Sequence, residues 1–103
     1  MSKQHYFFKL IPPRPTFPYD ISDAEKLIMK EHASYFREQF AAGRVLLFGP
    51  VLVAGGAFGL AVLEVDDEAE ARQFGEYDPS VRSGLNRYEV HPMQLDGAQA
   101  KRA

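Results

Sequence analysis

Hydrophobic and polar residues segregate along the chain into blocks of different period, and each block predicts an element. His5-Tyr6-Phe7-Phe8-Lys9-Leu10-Ile11 is dense in aromatic and branched residues and predicts a first strand. Pro12, Pro13, Pro15 and Pro18 then place four of the seven prolines in one short stretch, which predicts a stiff, extended connection. Ser22-Asp23-Ala24-Glu25 fits a capping box, in which the serine oxygen takes a backbone N–H while the glutamate reaches back to the cap. A helix is therefore expected from Asp23 to Ala42, with Gly43 as the left-handed residue that ends it. Along it Ala24, Ile28, His32, Phe36 and Phe40 recur every four residues as one stripe, and Lys26, Lys30, Ser34, Arg37 and Glu38 gather opposite.

Two strands follow, Arg44 to Val53 and Phe58 to Val65, joined by Ala54-Gly55-Gly56-Ala57, whose two glycines suit the positive φ of a tight hairpin. Asp66-Asp67-Glu68 concentrates acid where a helix N-terminus favours it and predicts a shorter helix ending near Tyr77, stopped by Asp78-Pro79. A loop from Ser80 to Gly84 leads into a last strand, Leu85 to Leu95. Residues 1–95 are thus expected to form one domain and residues 96–103 a disordered tail. The order β-α-β-β-α-β is that of the ferredoxin-like α+β fold, an antiparallel sheet with both helices on one face.

Two helices cover only one face of such a sheet, and the strands are apolar on both. Phe58, Leu60 and Val62 point one way, and Gly59, Ala61, Leu63 and Val65 the other. The second strand alternates likewise, Val45 and Leu47 on one side and Leu46 and Phe48 on the other. A solvated sheet face should read as polar. The helix-free face is therefore expected to pair with a second copy of the chain in a two-fold homodimer, the alternative being that long side chains and the proline loop fold back over it.

Composition narrows the chemistry. With 103 residues, 46% of them hydrophobic, the chain has enough apolar material for a small domain. A balance of 12 basic against 14 acidic residues provides no field for a phosphate backbone, so nucleic acid is not expected as a partner. No apolar run has the length of a signal segment or a membrane span, which gives a cytoplasmic expectation. The absence of cysteine removes thiolate nucleophiles, iron–sulfur clusters and cysteine-bound zinc.

The remaining chemistry centres on His32 and Asp78. His32, in the middle of the apolar stripe, fits either a core histidine satisfied by one hydrogen bond or an acid/base imidazole in a pocket between helix and sheet. Asp78 fits either a turn or cap residue or the partner that orients that imidazole and fixes its tautomer. Gly49-Pro50 marks either a strand irregularity bordering a pocket or a plain edge strand. Tyr6, Tyr35 and Tyr88 offer phenols, Arg82 or Arg87 an anion site, although packing and solvated roles account for all five. His5 and His91 fall on neighbouring strands without metal-binding spacing, so no metal site is expected.

Three segments together resemble the YciI-like (YCII-related) family: His32 with the downstream Gly43-Arg44-Val45-Leu46, then Phe48-Gly49-Pro50, then Asp78-Pro79-Ser80-Val81 followed by Gly84-Leu85 and Val90-His91-Pro92. The resemblance runs from Tyr6 to Gln94. It implies a dimeric α+β barrel of ferredoxin-like protomers, related in fold to muconolactone isomerase, with a catalytic His-Asp dyad matched here by His32 and Asp78. One activity associated with the family is dehydrochlorination of a chlorinated hydroxyquinol-type aromatic. The chain departs from the family in carrying Phe48, where a small residue often precedes Gly-Pro, and in its long proline-rich loop. The first narrows the expected pocket and the second is placed to lid it.

The combined expectation is a lyase or isomerase that needs no cofactor, in which His32 moves a proton on a small aromatic or enol-like compound and Asp78 orients it. Phe8, Phe36, Phe48, Gly49, Pro50 and Pro79 are expected to surround the substrate. The alternative is a non-catalytic dimer that binds a metabolite as a regulatory module. A third reading, a cofactor-free monooxygenase of the same barrel class, needs room for a polycyclic substrate and is disfavoured by Phe48.

Overall fold

A computed structural model describes residues 2–99; residues 100–103 of the expected tail lie outside the described residues. In chain order the elements are β1 (Gln4–Ile11), α1 (Phe17–Asp20), α2 (Asp23–Ala41), β2 (Val45–Val53), β3 (Gly56–Val65), α3 (Glu68–Glu76), α4 (Pro79–Arg82) and β4 (Arg87–Met93). The four strands form one antiparallel sheet in the order β2-β3-β1-β4. This is the expected ferredoxin-like α+β arrangement with two helical turns added. Residues 94–99 have no helix or strand.

Both added turns start at prolines. The extended connection expected at Pro12–Pro18 holds α1, with Pro18 in its first turn, where a missing N–H costs nothing. Asp78-Pro79 ends α3 as expected and also starts α4, because the Asp78 carboxylate accepts the backbone N–H of Ser80 as an N-cap. At α2 both halves of the capping box form, Glu25 N–H to Ser22 Oγ at 3.1 Å and Ser22 N–H to Glu25 Oε1 at 2.9 Å.

The core lies between the helices and one face of the sheet. Tyr6, Phe8 and Leu10 of β1 and Ala61, Leu63 and Val65 of β3 are buried there against Phe36 of α2 and Phe74 of α3. Phe8 meets Phe74 edge-on at 5.2 Å and Phe36 at 5.8 Å. Each such ring, withdrawn from water, contributes about 1.5–3 kcal/mol.

The helix stripe is narrower than the fourfold spacing suggests: Phe36 is buried, His32 and Ile28 are half-buried, and Ala24 and Phe40 are exposed. A step of four residues overshoots one turn by about 40°, so five such positions wind off the face at both ends. The hairpin turn is Ala54-Gly55, and only Gly55 has positive φ; Gly56 already pairs with Val53.

Strand β2 departs from its expected alternation. Val45 pairs with Leu63, but Leu47 pairs with Val62 and Phe48 with Ala61, so the chain bulges at Leu46. The extra residue resets the pleat. Val45 and Phe48 therefore share the helix-facing side, whereas Leu47 turns to the open face. The irregularity expected at Gly49-Pro50 lies here instead, and Pro50 is accommodated because β2 is an edge strand.

Gly75 is where α3 comes closest to the sheet. A Cβ at this position would stand 2.6 Å from Tyr88 Cε2. The tyrosine cannot withdraw freely, since its ring stacks on Phe8 at 5.7 Å and its hydroxyl donates to Glu76 at 2.7 Å. An exposed helical Gly→Ala change is stabilising by up to about 1 kcal/mol. Gly75→Ala is expected to reverse that sign and cost about 1–3 kcal/mol through overpacking, as read by urea denaturation.

Candidate active site

His32 projects from the middle of α2, and Asp78 from the junction of α3 and α4. These two residues, 46 apart in sequence, meet at 2.9 Å between His32 Nδ1 and Asp78 Oδ2. An ionised carboxylate only accepts, so Nδ1 carries the hydrogen of this contact, and in the neutral imidazole Nε2 then keeps its lone pair. Nε2 has no hydrogen-bond partner among the described residues. Asp78 has no exposed side-chain surface, and its other oxygen, Oδ1, accepts from Ser80 N–H at 2.8 Å and Ser80 Oγ–H at 3.0 Å. The carboxylate is thus both helix cap and histidine partner. The imidazole packs on Phe36 at 4.4 Å, which limits its rotation.

His32 borders a cavity of about 350 Å³ between α2, the proline-rich strap and the β2–β3 edge of the sheet. Of the expected pocket residues, Phe8, Phe36, Phe48, Gly49 and Pro50 line it. Pro79 does not; it is held in the first turn of α4, directly after the cap residue Asp78. Pro12, Phe17 and Pro18 complete the wall, so the strap belongs to the cavity. Phe48 packs against Phe36 and Phe40 at 5.6 and 5.8 Å, holding the mouth narrow. A space of this volume suits a single-ring compound.

The other sequence candidates have separate duties. Tyr35 donates to the Phe74 carbonyl at 2.7 Å, and burial pushes its phenol up to about 12. Tyr88 is likewise pushed up to about 12, by burial and then by its hydrogen bond with Glu76. Tyr6 donates to Gln4, and Arg82 lies over the Tyr77 ring. Arg87 is exposed and, like these residues, lies outside the cavity lining. His5 and His91 sit on adjacent strands, each beside a carboxylate, Glu64 and Glu89. Among the described residues no three His, Asp or Glu side chains converge as metal ligands.

Asn86 is a cavity residue that sequence reasoning missed. It is 3% exposed, and its backbone N–H donates to the Ser80 carbonyl at 2.9 Å. The available signal was its place as a lone carboxamide between Leu85 and the last strand, but nothing local in the sequence predicts that this loop folds back beneath α2.

A four-stranded ferredoxin-like sheet with a histidine–carboxylate pair at the edge of an apolar pocket defines a small protein of the α+β class. The particular family follows from comparison: the YCII-related domain model matches residues 7–94, and the chain belongs to that family. No curated protein sequence matches it. Among solved structures it is similar to 5-chloro-2-hydroxyhydroquinone dehydrochlorinase (TftG) from Burkholderia phenoliruptrix AC1100, in complex with 2,5-dihydroxybenzoquinone. The TM-score is 0.64 at 21% identity over 86% of this chain and 93% of that one. It is also similar to the uncharacterised protein TM1266 from Thermotoga maritima, with a TM-score of 0.54 at 13% identity over 90% of this chain and 100% of that one. At these identities the two likenesses establish the fold.

The strap that walls the cavity is pinned by Arg14. Its guanidinium donates twice to Glu25 at 2.8 Å and, through Nε, to Asp20 at 2.8 Å. The Arg14 hydrogen bonds, followed by that from the Ser22 backbone, bring the Glu25 carboxyl down from 4.5 to about 2. The folded value lies below the unfolded one, so the stabilising contribution is complete above about pH 4.5 and is lost as pH falls toward 2. A carbon-detected NMR titration is expected to give Glu25 a midpoint near 2, rising toward 4.5 in Arg14→Gln.

Proposed function

We propose that this chain is a lyase or isomerase that uses His32 and Asp78 for proton transfer on a small hydroxylated ring and requires no cofactor. The single observation that carries this reading is the 2.9 Å contact between His32 Nδ1 and Asp78 Oδ2, with Nε2 unpartnered beside an apolar cavity. Asp78 fixes the tautomer, so Nε2 takes a proton from substrate and returns it at a second position. Isomerisation needs only that one transfer. For a chlorinated dihydroxy ring, moving a hydroxyl proton to the chlorine-bearing carbon makes that carbon tetrahedral. Deprotonation of a second hydroxyl then forms the new π bonds and expels chloride with the C–Cl electron pair, a net loss of HCl. The dehydrochlorinase TftG, similar in fold, supports this choice of substrate class.

The working unit in this reading is a cytoplasmic homodimer. Phe7, Leu47, Val51, Phe58, Leu60 and Val62 occupy the sheet face opposite the helices, and Leu47 remains 50% exposed. Water on such a face is costly at roughly 25 cal/mol per Å² of apolar surface, and a second copy removes that cost symmetrically. Leu47→Glu puts a charge on this face at a residue outside the cavity lining and is expected to give a monomer by light scattering while the circular dichroism spectrum stays unchanged. A dimer that persists in this variant overturns the placement.

The chemistry is tested with 5-chloro-2-hydroxyhydroquinone by chloride release. Wild type is expected to turn it over, with kcat falling at least a hundredfold in both His32→Ala and Asp78→Asn. Turnover within a few fold of wild type in the two variants overturns the dyad. Saturable binding without chloride release or proton exchange into the ring overturns the enzyme reading and leaves a metabolite-binding module.

A further inference from the structure

Besides His32, Asn86 is the only polar side chain lining the cavity among the described residues. Its Oδ1 is buried and has no hydrogen-bond partner among the described residues, an arrangement that is costly unless a donor arrives. Its amide nitrogen has only a weak acceptor, Met29 Sδ at 3.4 Å. Exchanging the two ends of the carboxamide would set the oxygen against the sulfur and orphan two N–H donors instead, so the orientation with Oδ1 free is the better one. A resident water would be poorly held, because a buried water needs two or more polar partners and the surrounding wall is apolar apart from His32.

The backbone fixes Asn86 where it can act with His32. Its N–H is tied to the Ser80 carbonyl, and Ser80 in turn donates twice to Asp78, so one loop presents both Asp78 and Asn86 to α2. Met29, which the carboxamide touches, precedes His32 by three residues on α2, a rise of about 4.5 Å on the same face. The two polar groups of the cavity are therefore about one helical turn apart along α2, a separation that one six-membered ring with its substituents bridges.

We propose that Asn86 is the specificity residue of the cavity, its Oδ1 accepting a hydrogen bond from a hydroxyl on a single apolar ring held beside His32. This rests on the reading of the cavity as the substrate site. Asn86 touches the ring's substituent and takes no part in proton transfer. A site built to pair with a hydroxyl rejects the analogue lacking it, because the protein group is then left buried and unpaired.

The test is an NMR titration of wild type, Asn86→Leu and Asn86→Ala with resorcinol and with 1,3-difluorobenzene, which has nearly the same shape and no donor. The quantity read is the ratio of the two dissociation constants. It is expected to shift at least tenfold against resorcinol in both variants, and by the same factor in a His32→Ala background, where recognition survives and turnover does not. A merely structural role would lower the melting temperature and leave the ratio in place. A shift under threefold in the variants overturns the assignment of Asn86 while leaving the His32–Asp78 chemistry standing. Failure of wild type to bind either compound overturns it together with the cavity as a substrate site.

Discussion

A carboxylate removed from water costs several kcal/mol unless donors surround it, and Asp78 is such a group. Its donors come from two directions. Ser80 supplies a backbone N–H and a hydroxyl from the turn that Asp78 itself caps, and His32 supplies Nδ1–H from the middle of α2. Satisfying this one side chain therefore folds the 78–86 loop, starts α4, holds the loop against α2 and sets the imidazole tautomer. The same requirement makes the cap and dyad readings of Asp78 compatible: one oxygen serves the turn and the other serves the histidine. Asn86 follows as a consequence, because the Ser80 carbonyl anchors its backbone within the same loop.

Local chemistry made the elements legible and left their registration hidden. Ser22 and Glu25 announce α2 through hydrogen bonds spanning three residues, and β1 is readable from its aromatic and branched density. The bulge at Leu46 was not readable, since Val45-Leu46-Leu47-Phe48 is apolar throughout and no polar residue marks which side faces water. The two helical turns hid behind prolines, which signal interruption and helix initiation equally well. In the site, His32 and Asp78 could be paired through the family motifs, although sequence spacing alone could not bring residues so far apart together. Asn86 had no such support: its importance lies in an acceptor left without a donor, a property of three-dimensional surroundings alone.

The strap and β2 divide the work of keeping a pocket open in a small domain. Residues Pro12 to Pro18 have little freedom to collapse inward, because φ is fixed at each proline and Arg14 is bonded to both Asp20 and Glu25. On the other side Phe48 is engaged with Phe36 and Phe40. Apolar surface that folding could have buried is left as a wall. Phe8, Phe48 and Phe74 meet the Phe36 ring tilted or edge-on instead of face to face, so these four rings pack on one another.

The cavity and the open sheet face are two sides of one layer. The bulge at Leu46 sends Phe48 toward the helices while Leu47 and Val51 point to the opposite face, and Gly49 and Pro50 carry the backbone between them. Here the wall is one backbone thick and belongs to an edge strand bonded on one side only. An edge strand gains order from whatever packs on it. In the dimer proposed above, a second copy covering Leu47 and Val51 would stiffen the strand that carries Phe48, Gly49 and Pro50, and the shape of the pocket would depend on contacts made outside it. In that proposal oligomerisation and ligand fit are coupled through the register of a single strand.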